Sequence, residues 1–514
     1  MNAFRGRRGL AHRRSAVVAV AAMALLLSAC GSRLAANQIP LAEGAPGAVG
    51  AASGTGAVGS AGAAAGTSAY GAATTAGGAS SSPGAASTNN GAATVGSKSV
   101  AGAAGGKVSN ARTTSAGAQP SGTGSGGGAP APAGGNGGAT TVGVTGTQIT
   151  IANIASISGV APGLTQSAQQ ATEAFAAYVN SQGGIYGRTL KVEPFDDQNT
   201  SGQNYADAEQ ACTNAFAMVG NASGFDTGSA QAVSQCGIPD VAAENSTTQA
   251  GETADIYAAS PGNAHYWPLG AAEYLKSKYP NAVTHAAMIY LNVPATEEQA
   301  QHEMAAYKSV GFDYIYTASV TPTEPNYAPY VLQMQQKGVQ YVTEYSTMSS
   351  AARLLEAMQQ QNFQPQVVDW FSEEYTPQFI EQTQGESNGD LVLMATAAYE
   401  EAGSIPEMQT YLSWLNRVAP GAKHDIFGIF AWSAGLAFLQ AAKAVGPHLT
   451  RAALLAQLAK IHTWTGDGLQ PPENFGTKIP SKCFDYFHIE GSSFQRLYPS
   501  TPNTYDCSGG LYQY

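Results

Sequence analysis

From Gln148 onward the chain alternates short extended runs with segments of helical period, and that alternation restricts it to parallel β-sheet flanked by helices. "QITIANI" alternates and stops at "SISG". "QSAQQATEAFAAYVNSQGG" places apolar residues at helical spacing and ends in Gly183-Gly184, as a helix C-cap does. "TLKVEPF", "AMVG" and "IPDVAA" read as the next strands, with helices over "SGQNYADAEQACTNAF" and "GSAQAVSQCG" between them. A break containing Pro and Gly falls at residues 260–263, and then the rhythm restarts. Helices are expected at 264–279, 295–309, 326–337 and 347–361. They separate the strands "THAAMIYL", "FDYIYTASV", "VQYVTEY" and "PQVVDWF". Further helices follow at 406–418, 426–445 and 450–460, and "IFAWSAGLAFLQAAKAV" is apolar nearly all round, as a buried helix is. Two right-handed βαβ series separated by one break predict two α/β lobes.

In open sheets of this kind ligands lie beyond the carboxyl ends of the strands. In the first series those ends carry Ser156, Ser158 and Gly159, then Asn221–Ser229, then Ala243–Gln249. These loops are rich in hydroxyl and amide donors, which suit a carboxylate or phosphate and also cap helices. In the second series they carry "LNVPA", "EYSTMSS" and "WFSEEYT". Glu beside Tyr and Trp suits an ammonium on a small zwitterion or cation. Glu373 and Glu374 point in different directions on any regular backbone, so one of them need face the cleft.

Catalytic signatures are missing: there is no P-loop, no GxGxxG after a strand, no HExxH and no GxSxG. Asp196-Asp197 and Glu373-Glu374 are sequence neighbours, not the facing carboxylates of acid–base catalysis. "DTGS" at Asp226–Ser229 matches an aspartic-protease motif, but that fold is all-β and carries two copies. We therefore expect no catalytic residues, no cofactor and no metal, the His residues being scattered and the Cys spacings too long for zinc.

The amino-terminal part is different in kind. Arg5, Arg7, Arg8, Arg13 and Arg14 precede a short apolar stretch that ends in Leu27-Ser28-Ala29-Cys30. This is an export signal with a bacterial lipobox, in which Cys30 takes a diacylglycerol thioether; Arg13-Arg14 leaves both the general secretory and the twin-arginine routes open. Residues 31–140 are Gly/Ala/Ser/Thr-rich and cannot bury enough apolar area to offset their ordering entropy, so a flexible tether is expected. Residues 1–140 hold nine Lys/Arg and one acid, Glu43, leaving 15 basic against 34 acidic residues in the body. So acidic a body repels phosphate backbones, and nucleic acid is excluded as a partner. Setting Cys30 aside, Cys212, Cys236, Cys483 and Cys507 allow three pairings. Sequence proximity in an oxidising compartment favours Cys212–Cys236 and Cys483–Cys507.

The run "ITIANIASISGVAPGLTQSAQQATEAFAAYVNSQGGIYGRTLKVEPFDDQNT" resembles the opening of the type 1 periplasmic substrate-binding proteins of the leucine/isoleucine/valine-binding kind. It shows their strand, Ser-Gly loop, long helix, Asn and Gly-Gly, Gly-Arg turn, second strand and Asp-Asp. The likeness continues more loosely over about 147–500. It implies an α/β fold of two Rossmann-like lobes joined by a three-segment hinge, with crossovers near 260–263, 395–398 and 464–468. The first lobe would then span 147–260 and 398–464, the second 261–397 and 465–514. It also implies that hydroxyls and amides of the first lobe hold a ligand carboxylate. The matching positions are Thr227, Gly228 and Ser229 with Asn245, Ser246 and Thr247, and Ser158 belongs to the same edge. Glu373 or Glu374 would take the ammonium, and Tyr345 would pack beside it. Two departures stand out: "AAENST" puts Glu244 where a carboxylate would lie, and "LNVPA" lacks a Tyr-Gly. The implied function is a lipid-anchored extracytoplasmic protein that captures a small polar ligand (a branched-chain or other amino acid, or an amide-like compound). It would deliver that ligand to the membrane permease of an ABC importer. A ligand-sensing ectodomain of the same fold is the alternative.

Overall fold

A computed structural model describes residues 135–514 apart from 263 and 264. The export signal, Cys30 and nearly all of the tether therefore lie outside the described residues. Five parallel strands form the first sheet: β1 (Gln148–Ala155), β2 (Thr189–Asp196), β3 (Ala217–Val219), β4 (Asp240–Asn245) and β5 (Ile256–Pro261), in the order 2-1-3-4-5. A short strand β6 (Tyr266–Pro268) follows and pairs antiparallel with β14 (Leu511–Gln513) at the carboxyl terminus. The second sheet takes β7 (Ala286–Leu291), β8 (Tyr314–Val320), β9 (Tyr341–Tyr345), β10 (Val367–Trp370) and β11 (Leu391–Met394). Their order, 8-7-9-10-11, repeats that of the first sheet. An antiparallel hairpin, β12 (Asp485–Glu490) and β13 (Ser493–Tyr498), extends it beyond β11.

The doubled parallel topology puts strand carboxyl ends of both sheets on one cleft. The chain crosses between the sheets after β5, after β11 and again through 459–484, where Ala397 N–H donates to Leu469 O and Gln470 Nε2 to Ala259 O. The helices Pro406–Val418, Ile426–Val445 and Arg451–Leu458 return to the first sheet. Ile426–Val445 is the one helix among the described residues long and apolar enough to cross a membrane, and 78% of that window is buried. It is a core helix: Trp432 meets Phe175 edge-on at 5.4 Å, and Gly435 lies so close that a Cβ there would fall 2.7 Å from the Phe175 ring.

Several elements differ from the periodicity. The segment predicted as helix 264–279 opens with β6, and its helix is confined to Gly270–Lys278, because Pro268 and the pairing with β14 hold 266–268 extended. β5 lies mostly in a stretch given no element and runs into the break at 260–263, and β11 to β14 lack a strand–helix rhythm to announce them. Both Cys212–Cys236 and Cys483–Cys507 are disulfide-bonded.

Residues just before the body are also held. Arg188, in the Gly-Arg turn, is fully buried with no acid beside it. Its guanidinium donates to Thr145 O (2.7 Å), Gly138 O (2.9 Å), Pro447 O (3.1 Å) and Asn136 O. One planar fork thus ties the entry of the chain, the β1–β2 edge and the end of helix Ile426–Val445 together. Gly184 permits the turn: its φ is +72°, and a Cβ there would strike Arg188 O at 2.0 Å. Arg188→Ala should lower unfolding free energy by about 2–4 kcal/mol in urea denaturation at unchanged m-value, since charged donors from a buried guanidinium to four backbone carbonyls are lost. A loss below about 0.5 kcal/mol would show that water replaces them.

Candidate functional site: the interlobe cleft

A cavity of about 240 Å³ lies between the lobes. The first lobe contributes Glu244 and Asn245 from the end of β4, residues 259–262 from β5, and Phe430. The second contributes Trp267, Tyr345, Phe371 and Glu373, and the crossovers contribute Ala395, Gln470 and Glu473. The volume lies just below the usual range for ligand cavities, about 300–1,000 Å³, so a small occupant is favoured. Two hydrogen bonds close the lobes beside it: Thr248 N–H donates to Glu298 Oε2 at 2.6 Å, and Gln299 Nε2 donates to Ser246 O at 3.3 Å.

The expected site residues divide into two groups. Glu244, Asn245, Tyr345 and Glu373 line the cleft. Glu374 does not: its carboxyl is 1% exposed and neither oxygen has a partner, and burial together with Glu373 and Glu344 holds its pKa well above the ordinary value. Ser158 turns to the edge, where its hydroxyl donates to Asp196 Oδ2 at 2.6 Å. Thr227 and Gly228 line a separate shallow groove with Ser201, Tyr205 and Gln249. Ser229 is buried, its N–H donating to Asn204 Oδ1 at 2.6 Å. Ser246 and Thr247 serve Asp226: Ser246 N–H reaches Asp226 Oδ2 at 2.6 Å, and Thr247 Oγ1 donates to Asp226 Oδ1 at 2.6 Å.

The electrostatics are one-sided. Among the described residues, no Lys, Arg or His lines the cleft. Burial, then the facing Glu373 carboxylate and Asp226, push the Glu244 pKa up to about 8. Burial also raises Glu373, and raises Glu473 well above the ordinary range. The aromatic wall is positioned from behind. Tyr345 stacks on Phe371 with ring centres 3.7 Å apart, and its hydroxyl donates to Glu303 Oε2 at 3.0 Å. Glu303 is itself buried in the helix Pro294–Val310 and accepts a second bond from Tyr314 at 3.1 Å.

Trp267, Phe371, Gln470 and Glu473 were not expected from the sequence. All but Phe371 sit on or beside crossovers, which have no period, and the signal available was the clustering of aromatic and polar residues around "HYWPLG" and "LQPPENF".

A two-lobed α/β architecture with matching strand orders and a cleft between the lobes defines a bilobal small-molecule-binding fold. The sequence profile described as "Periplasmic binding protein" matches residues 148–486, and the chain belongs to that family. The fatty acid ABC transporter substrate-binding protein from Thermomonospora curvata superposes with TM-score 0.62 at 16% identity, covering 73% of this chain and 100% of that one. The leucine-binding protein from Thermotoga maritima gives 0.58 at 11% identity, covering 68% and 97%. The branched-chain amino acid transporter substrate-binding protein from Streptococcus pneumoniae, in complex with isoleucine, gives 0.56 at 11%, covering 71% and 100%. These likenesses establish the type 1 fold. No curated protein sequence matches the chain.

The buried carboxyls give stability a definite pH dependence. Burial holds Glu303 and Glu344 at about 8 against an ordinary 4.5. Between those values the folded chain binds more protons than the unfolded chain. Their contribution is therefore complete below about pH 4.5 and is lost as pH rises through about 8. Melting temperature should fall between pH 5 and pH 8.5, and Glu303→Gln should flatten that slope; a melting temperature that rises over the range contradicts the assignment.

Proposed function

We propose that this chain is the lipid-anchored, extracytoplasmic ligand-capturing component of an ABC importer, taking one small polar ligand into the interlobe cleft. The carrying observation is the cleft itself, walled by both lobes and their crossovers, so that a ligand there favours the closed arrangement over any open one. Family membership and the transporter roles named for its structural neighbours support the same reading. Those neighbours are named for a fatty acid, leucine or branched-chain amino acids, so the fold is compatible with chemically different ligands. Cys30 supplies the anchor and the Gly/Ala/Ser/Thr-rich segment the spacing from the membrane.

A ligand screen by thermal shift tests the capture role. A ligand at a hundred times its Kd stabilises by about 2.7 kcal/mol. The same ligand should bind at least several-fold more weakly to Glu298→Ala, which removes a lobe-closing acceptor outside the cavity lining. Undiminished affinity in that variant would show that closure is not linked to binding. Anchoring has its own check: labelled fatty acid should be incorporated by cells expressing the natural chain and not by Cys30→Ser, which should be shed to the medium. Equal labelling of the two removes the anchor from the proposal.

A further inference from the structure

Every ionisable side chain that lines the cleft is acidic or a tyrosine, and its unpartnered buried atoms are acceptors. Glu244 on the first lobe and Glu373 on the second both line it, with Glu473 from the third crossover. Glu473 is 7% exposed and its Oε1 has no hydrogen-bond partner. Asn245, 4% exposed, likewise has an unpartnered Oδ1. Buried acceptors without donors are costly and call for a donor from the occupant.

Donors for a ligand carboxylate are scarce by comparison. Gln299 and Gln470 each already spend one amide N–H, on Ser246 O and Ala259 O. The Ser246 and Thr247 groups that would hold a carboxylate are taken by the chain's own Asp226, which accepts two bonds of 2.6 Å from them. Asp226 keeps these donors off the cavity, whose lining includes neither Ser246 nor Thr247. The wall also carries the hydroxyls of Ser260, Ser372 and Ser481, the last donating to Pro472 O, and is otherwise largely apolar or aromatic: the stacked Tyr345–Phe371 pair, Trp267 and Phe430.

We propose that the cleft selects a small organic cation, an amine without a carboxylate, whose ammonium sits among Glu244, Glu373 and Glu473 and whose apolar body packs on the Tyr345–Phe371 wall. This rests on the solute-binding reading and names its ligand class. An ammonium supplies the donors that the orphan acceptors lack, and an aromatic face attracts a cation in a desolvated site. The ionisable groups facing Glu244 are Glu373, Asp226 and Asp425, all acidic, and the Ser246 hydroxyl that donates to it at 3.3 Å is neutral, so no cation of the protein neutralises it. A bound cation does, and it displaces the proton that burial otherwise keeps there.

The test is titration calorimetry on the full chain between pH 6.5 and 8.5. The probes are 2-phenylethylamine, 1,4-diaminobutane, neutral 3-phenylpropanamide and zwitterionic L-phenylalanine. At least one amine should bind, tighten several-fold as pH rises, and release protons, read from the buffer dependence of the heat. Glu373→Gln and Glu244→Gln should each weaken it at least tenfold. The pH and proton readouts on the unaltered protein stand if either variant fails to fold. Preferential binding of the amide or of L-phenylalanine, or amine binding indifferent to pH and to both variants, overturns the cation assignment while leaving a solute-binding protein. If none of the four probes binds, the cation assignment falls; solute binding falls with it only if the broader thermal-shift screen is also silent.

Discussion

Buried carboxyl groups held by tyrosine hydroxyls are the interaction on which the second lobe depends. The body carries more than twice as many acids as bases, so buried acids cannot all find cations. Arg496 alone among the described residues makes an arginine–carboxylate ion pair, with Asp485 and Glu401. In the second lobe Glu303, Asp369, Glu344 and Asp390 use phenols or an indole instead. Asp369 accepts from Tyr341 (2.8 Å) and Tyr486 (3.0 Å), Glu344 from Tyr327 (2.9 Å), and Asp390 from the Trp370 indole (2.8 Å). A neutral donor stabilises a carboxylate less than a cation does, so burial wins and these acids keep their protons: Asp369 is pushed up to about 7. A protonated acid costs far less to bury than a charged one, and that is what allows so many on so few strands.

The same device sets the cleft wall. Tyr345 closes β9, and its hydroxyl is directed backward to Glu303 and not into the cavity. The ring is left to stack on Phe371, which follows β10 on the neighbouring strand. The wall presented to a ligand is therefore a flat aromatic surface fixed by a buried polar bond behind it, a pre-organised arrangement that loses little entropy on binding.

Most of the fold was legible because its signals are local and repeated. Helix Gln166–Ser181, helix Ile426–Val445 and strands β7 to β10 carry full periods, with Gly237, Gly311 and Gly338 in left-handed C-cap geometry where the sequence puts them. β5, β6 and β11 to β14 were not legible: β6, β11 and β14 have three or four residues and no period to count, and β5, β12 and β13, of six residues each, have no long helix beside them in sequence to set the rhythm. The site was legible by halves. Strand-end reasoning led to Glu244, Asn245, Tyr345 and Glu373. It also named Ser158, Thr227, Gly228 and Ser229, which lie away from the cleft with groups engaged by Asp196, Ser201, Phe225 O and Asn204. Sequence pattern locates a donor but does not tell whether a neighbour has already used it.

That distinction decides what the cleft can hold. Two proteins can share the strand ends, the lobes and the crossovers and still differ in ligand chemistry, if one of them supplies from its own chain the group that the other receives from solution. Asp226 commits two such donors here: its two oxygens take the N–H of Ser246 and the hydroxyl of Thr247, and the burial that raises its pKa to about 6 is opposed first by Thr247. Once those donors are committed, Glu244 one step along β4 meets Glu373 across the cavity with no counter-charge between them. Two acids brought together by lobe closure repel unless one is protonated or a cation lies between. The chemistry of the occupant and the ease of closure are therefore set by the same pair of side chains.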